Sequence, residues 1–521
     1  MTSFSKAQVT RKTVVETDKG VVSSQHRLAS EAGAKILSGG GNAIDAAIAT
    51  SFALGVVEPW MSGPGGGGYM VLKMAHESQA KVVNFGMCSP KHLDPATYPL
   101  SGSGISSDLF PWPSVVDDRN VVGGGAVAVP GQVEGMRLAH ETYGTKCWAD
   151  LLKPSIGLAR DGLLVDWYAQ LMISPAAEAL SRFPKSKKTF LTSKGFPVGS
   201  AWTALRQERC SMDTMADMLT ELAHAGPRSF YEGTIAESLA RDVQNEGGSL
   251  SVEDLKEYRA TLSNTLDVEY KDSKVFLTPE LTAGPAMSMA LKYLEDLPIS
   301  KSKPGPETYA AYARSLKHAY SYRLGNVGDI KDDNKESCTT HFSVVDSNGS
   351  MVAVTQTLLS VFGSRLMVPS AGILMNNGIM WFDPEPGRPN SIGPGKRCLS
   401  NMCPVIVKTG EDMFALGAAG GRKIFPAVMQ LTSFLTDYRM SLEEAFHTPR
   451  IDVSGGDTVI VDDSLPESVH DLLSTEYRVA RAPRTVYPYN FACPSAVARV
   501  KRKNQGMTEI MSAWSDSVAE N

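Results

Sequence analysis

Cys338-Thr-Thr-His-Phe-Ser-Val-Val-Asp-Ser-Asn-Gly-Ser-Met-Val-Ala-Val-Thr-Gln-Thr357 reads as two strand-like runs around a turn. Residues 340–345 are mostly β-branched or aromatic, Asn348-Gly349 is a hairpin turn signal, and the run from Ser350 to Thr357 is again strand-like. A loop of Ser347-Asn348-Gly349 centres the hairpin on residue 348 and sets Thr339 opposite Thr357, whereas a two-residue loop shifts the pairing by one. Two threonine hydroxyls then lie close together at the open end of the hairpin.

A threonine at the head of a buried strand is one way to build a nucleophile without a Ser-His-Asp triad. Cutting the bond between Cys338 and Thr339 frees an α-amine on Thr339. That amine, with an ordinary pKa of about 7.7–8.0, can take the proton from its own hydroxyl near neutrality. In the uncut chain the same hydroxyl attacks the Cys338 carbonyl, shifts the amide to an ester, and water completes the cut. The alternative is a plain amphipathic hairpin with surface threonines. His341, two residues along the same strand face, is expected as a packed or hydrogen-bonded side chain rather than a catalytic base.

Outward from the hairpin, Val21–Ser24 is expected as a strand and Arg27–Leu37 as a helix ending at Gly39-Gly40-Gly41. Asn42 caps a second helix over residues 43–54, rich in Ala and Ile nearly all round and therefore buried. The run Gly63-Pro-Gly-Gly-Gly-Gly-Tyr69 lacks a following GK[ST] and fits GxGxxG poorly, so close backbone packing is favoured over phosphate binding. Further strands are expected at 69–73, 82–87, 268–277, 372–377, 402–408 and 412–417, and helices at 132–143, 148–161 and 307–324. Residues 94–120 read as an irregular surface segment, and 329–338 as an exposed loop suited to cutting. Gly420-Gly421 opens a helix through Phe434, where two backbone N–H groups and the positive helix end suit an oxyanion; the alternative is a simple helix-opening turn.

Thr339-Thr-His-Phe-Ser-Val-Val-Asp346 resembles the autoprocessing motif of the γ-glutamyltranspeptidase family, and the stretches 28–58, 63–69, 123–131, 399–404 and 417–422 resemble the family in the same order. The resemblance covers nearly the whole chain. It implies an α+β fold, the αββα four-layer sandwich of the N-terminal-nucleophile hydrolases. It also implies a large chain of residues 1–338 and a small chain of 339–521 that stay together as one globular unit. Thr339 is then the nucleophile, Thr357 steers its hydroxyl, and Gly420 and Gly421 hold the oxyanion. The expected partners are a small-molecule substrate and the sister chain, with a homo-oligomer of the processed pair as a family expectation.

Family transpeptidases hold a glutamyl head group with polar residues that this chain largely lacks. The expected arginine falls at Gly86, an asparagine at Leu359, a glutamine and an aspartate at Gly378 and Trp381, and the second of two serines at Asn401. Ser400 remains, and the lid segment between Asp383 and Lys396 is shorter. These departures resemble the branch of oxamate amidohydrolase and acylase-like members, so a small anionic acyl substrate is expected. Arg365 is the candidate carboxylate anchor, a surface or salt-bridged arginine being the alternative, with Ser400, Asn401, Asn377 and Arg422 as further substrate contacts. A glutathione hydrolase or transferase with a rearranged head-group site, and an uncut binding protein, are the competing functions.

The net charge of -5, with Lys and Arg dispersed, argues against nucleic acid. No apolar run reaches membrane-spanning length and residues 1–20 carry no signal-peptide core, so a cytoplasmic location is expected. Seven scattered cysteines fit a reducing compartment, and no metal or cofactor is expected.

Overall fold

The structure, a computed structural model, describes residues 10–105, 112–201, 203–327, 338–454, 456–487 and 489–521. Two antiparallel sheets of seven strands face each other, counted among the described residues. In chain order their strands are β1 (Val15–Thr17), β2 (Val21–Ser24), β3 (Gly67–Lys73), β4 (Lys81–Phe85), β5 (Thr261–Asn264), β6 (Leu266–Tyr270) and β7 (Ser273–Leu277). They continue with β8 (Cys338–Val345), β9 (Met351–Leu359), β10 (Val405–Thr409), β11 (Asp412–Ala419), β12 (Cys493–Val500), β13 (Lys503–Thr508) and β14 (Asp516–Ala519). One sheet has the order β14-β2-β8-β9-β3-β4-β5 and the other β1-β13-β12-β11-β10-β7-β6.

Alternation along the strands builds the layers. Val22, Met70, Phe342, Val344, Val352 and Val354 face helices α1 (Arg27–Ser38) and α2 (Ala43–Val57) in one core. Val275, Val405, Val407, Leu416 and Ala496 face α3 (Gly284–Glu295), α4 (Pro306–Val327) and α5 (Ile424–Thr436) in another. The residues between them in sequence, among them Val71, Val345, Ala353, Ile406, Ala415 and Val497, form a thin apolar layer between the sheets. Helices, two sheets and helices again make the αββα sandwich. Helix α2 is buried on every side, and Asn42 and Asp45 close its start as a capping box.

The hairpin takes the three-residue register. Val345 pairs Met351 and Thr340 pairs Gln356, both centred on residue 348. Asp346 sets the turn, its carboxylate accepting the N–H groups of Asn348 and Ser350 at 3.0 and 2.9 Å and of Ala43, at the start of α2, at 3.1 Å.

Three expectations are corrected. The strand expected over 268–277 is two, β6 and β7, folded at Lys271, whose φ is +51°. Residues 372–377 make isolated bridges at Leu374 and Met375, not a strand. The segment 94–120, expected to be irregular, holds a strand pair, Leu100–Ile105 with Pro113–Val115. The expected cutting loop, up to residue 337, lies outside the described residues. Among the described residues no helix is long and apolar enough to cross a membrane.

Candidate active site

The β8–β9 ladder breaks where the sequence places the nucleophile. Cys338 pairs Leu359 while Thr340 pairs Gln356, so Thr339 alone spans the two residues Thr357 and Leu358. This bulge frees the backbone around Thr339 from regular pairing. Leu359, with φ at +86°, turns its N–H back onto the Thr357 hydroxyl oxygen at 2.8 Å, and the Leu358 N–H reaches the Met61 carbonyl at 3.0 Å. Alternation puts Thr339 and Thr357 on the face that looks into the space between the sheets, with Thr339 only 3 % exposed.

On that face His341 bonds Thr355 Oγ1 at 2.8 Å and Ser343 Oγ at 3.0 Å. Burial pushes its pKa down to about 3, so it stays a neutral, packed ring. Gly417 of β11 lies beneath it, where a Cβ would come within 2.4 Å of the ring. This contact packs β8 on β11 three residues before Gly420, at the C-terminal end of β11. There Gly420 and Gly421 have φ of +136° and +54°, the chain turns through Gly421–Lys423, and α5 begins. The glycine run under the hairpin has a packing role. Cβ atoms at Gly65, Gly66 and Gly68 would lie 2.2–2.3 Å from the carbonyl oxygens of Leu374, Thr357 and Thr355.

β10 runs antiparallel to β11, so Ser400 and Asn401, just before β10, come to the same end of the sandwich as Gly420. Arg323 of α4, wholly buried, donates to the carbonyls of Thr282 and Ser400 and to Asn401 Oδ1 at 3.2 Å. A guanidinium offers only donors, so the Asn401 amide must turn its oxygen to Arg323. Among the described residues its Nδ2, buried, finds no partner. Among the described residues no carboxylate lies within ion-pair distance of Arg323, and burial lowers its pKa.

Asn377 is fixed internally, its Nδ2 donating to Ser360 Oγ and the Val121 carbonyl and its Oδ1 accepting from the Ser360 N–H. Arg365 gives its guanidinium to the carbonyls of Gly363 at 2.8 Å and Val121 at 3.4 Å. Arg422 and Lys423 flank buried Asp452, whose carboxyl burial raises against the pull of both cations.

The sequence profile described as Gamma-glutamyltranspeptidase matches residues 29–338 and 330–519. The chain belongs to the gamma-glutamyltranspeptidase family. It is 32% identical over 509 residues to an acylase ACY 1 proenzyme of Pseudomonas sp. (strain V22), covering 89% of this chain and 88% of that one. It is 30% identical over 505 residues to a glutathione hydrolase proenzyme of Bacillus subtilis (strain 168), covering 86% and 83%. Its fold matches that of a cephalosporin acylase from Bacillus halodurans with a TM-score of 0.85 at 23% identity, over 99% of this chain and 98% of that one.

Two of the positions at which the resemblance implies polar residues, Leu359 and Trp381, come together. Leu359 and Trp381 pack with Tyr69, Met87, Ile379 and Met402 in one apolar cluster. A Cβ at Gly86 would lie 2.8 Å from Tyr69 Oη, so a longer side chain there has no room without moving Tyr69. Two residues were missed from sequence: Arg323 and Glu58. Arg323 falls on the apolar face of α4 with Leu316, Ala319 and Tyr320, a placement that marks an unusual cation. Glu58 gave no signal beyond the proline after it.

Proposed function

We propose that the protein is a self-processing amidohydrolase acting on a small, anionic acyl substrate of the oxamate type. The observation that supports the chemistry is the position of Thr339, at a bulge on the inter-sheet face of β8, a strand whose His341 packs on Gly417 three residues before the Gly420-Gly421 turn. In this reading Thr339 Oγ attacks the Cys338 carbonyl, the peptide nitrogen leaves as the new α-amine, and water splits the ester to give chains 1–338 and 339–521. In turnover the amine takes the hydroxyl proton, Oγ adds to the substrate carbonyl, and the Gly420 and Gly421 N–H groups hold the oxyanion. The leaving nitrogen takes the proton from the amine, and water hydrolyses the threonyl ester. Thr357, on the same face, orients the hydroxyl.

Support for an anionic acyl group comes from the donor-only corner made by Arg323 and the free Nδ2 of Asn401, beside an apolar wall where the family's glutamyl-binding residues are missing. An α-amine buried there would lack its carboxylate, at a cost on the order of several kcal/mol. The kinship to a glutathione hydrolase proenzyme favours a second reading, hydrolysis of glutathione with a rearranged head-group site. Ammonia release from oxamate, assayed beside glutamate release from glutathione, separates the two. Glutamate without ammonia would remove the first.

Processing is tested first by intact mass. Residues 339–521 are 183 of the 521, so the 56.0 kDa chain should yield pieces of about 36 and 20 kDa, and Thr339→Ala should stay whole. A wild-type chain that stays whole would leave only the binding-protein reading. We also propose a cytoplasmic location, which cell fractionation tests.

A further inference from the structure

Glu58 caps the C-terminal end of α2, its N–H bonded to the Leu54 carbonyl. Its side chain is 3 % exposed, and Oε2 accepts the Thr340 hydroxyl at 3.2 Å. Thr340 is the residue after the nucleophile, and the two point to opposite faces of β8. Thr339 looks between the sheets, while Thr340 looks at the end of α2.

The surroundings of Glu58 favour a neutral acid. The last carbonyls of α2 carry partial negative charge. The phenol of Tyr489 and the thiol of Cys493 feel Glu58, and burial raises the pKa of both, so they stay neutral. Among the described residues no Lys, Arg or His lies within ion-pair distance of Glu58. Beyond Cys493, the charges of Glu509, Arg450 and Arg484 are held among themselves. Burial pushes the Glu58 carboxyl up to about 8 against the single Thr340 hydrogen bond. This buried acid without a counter-charge, hydrogen-bonded to the residue that follows the nucleophile, is not used in the attack of Thr339 on Cys338 set out above.

We propose that Glu58 is a positioning residue that serves as counter-charge for the amine created at Thr339: neutral in the whole chain, it gives its proton to the new amine once the cut is made. The inference rests on the self-processing reading above. The step balances as carboxyl plus amine becoming carboxylate plus ammonium, with no proton gained or lost. Two consequences follow from the sign. In the whole chain the fold must hold Glu58 neutral at a pH where the unfolded chain ionises it, which costs stability, and its removal should stabilise. In the cut chain Glu58 is half of an ion pair, and its removal should destabilise. The ammonium must lose its proton before acting as base, so Glu58 also moves the acid limb of turnover to higher pH.

The experiment compares Glu58→Gln in two backgrounds, the uncut Thr339→Ala chain and the processed wild-type chain, by thermal unfolding at pH 8. The expected result is a rise in Tm in the first and a fall in the second, together with an acid limb of kcat/KM lowered by about 1 on the pH scale in processed Glu58→Gln. Shifts of the same sign in both backgrounds would overturn the proposal. If Glu58→Gln does not fold or mature, titrating the Thr339 amine of processed wild type by its rate of acylation decides the matter. An amine pKa above the usual range of about 7.7–8.0 upholds the pairing, and one at or below it overturns it. A wild-type chain that is never cut ends the parent reading, and this one with it. A chain that is cut but shows an ordinary amine ends this one alone.

Discussion

At the scale of single residues, the site divides into groups with their hydrogen bonds already made and groups left waiting. His341, Asn377 and Ser400 are committed to neighbours, whereas Asn401 Nδ2 has none among the described residues. Replacing Asn401 by Leu should raise KM for oxamate by tenfold or more, because it removes both the Nδ2 donor offered to substrate and the Oδ1 acceptor that holds Arg323 in place. Arg365→Ala tests the rival anchor in the same assay. If Arg365 carries the carboxylate, KM rises there and not at Asn401, and unchanged kinetics in Arg365→Ala removes it. Gly417→Ala makes a separate point. Its methyl would press on the His341 ring, and we expect a loss of about 1–3 kcal/mol in urea unfolding together with slower cutting, since Thr339 is carried on the same strand.

The hairpin is the element on which the rest depends, and Asp346 is what closes it. Its carboxylate accepts three backbone N–H groups, one of them from α2, so Asp346→Ala should cost about 2–4 kcal/mol by denaturant unfolding. A loss below about 0.5 kcal/mol would mean that the turn holds itself. This element was also the most legible in sequence. Asn348-Gly349 and the β-branched runs are local signals, and they set the pairing of Thr340 with Gln356. The bulge at Thr339 was not legible, because it depends on Leu358 being held by Met61, nearly 300 residues earlier in the chain. The β6–β7 fold was missed for a simpler reason, since Lys271-Asp272 carries no glycine or proline to announce a turn. Arg323 and Glu58 lay hidden because their meaning is in what surrounds them: an absent acid for one and an absent base for the other.

At the scale of the whole molecule, a buried charge cluster ties the C-terminal third together. Glu509 receives Arg484 through two nitrogens and Arg450 at 2.9 Å, and its carbonyl region is held by Ser515. Burial alone would raise its pKa, yet the two arginines outweigh it and bring the carboxyl down to about 2. A carboxylate depressed in the fold gives stability that is present above its unfolded value of about 4.3 and lost as pH falls toward 2. Stability should therefore drop between those values, and Glu509→Gln should flatten that drop while costing about 3–5 kcal/mol at pH 7. An unchanged acid limb in the variant would assign the drop to other carboxylates.

The strand order has a last consequence for the two pieces that cutting would make. Strands β1 to β7 precede the cut, and β8 from its second residue onward through β14 follow it, yet both sheets mix the two sets: β2 lies between β14 and β8, and β10 lies beside β7. Neither piece owns a complete sheet or a closed core. Dilution alone should never part them, and size-exclusion at nanomolar concentration should still show a single species. Only a denaturant would separate them, and each would then be released unfolded.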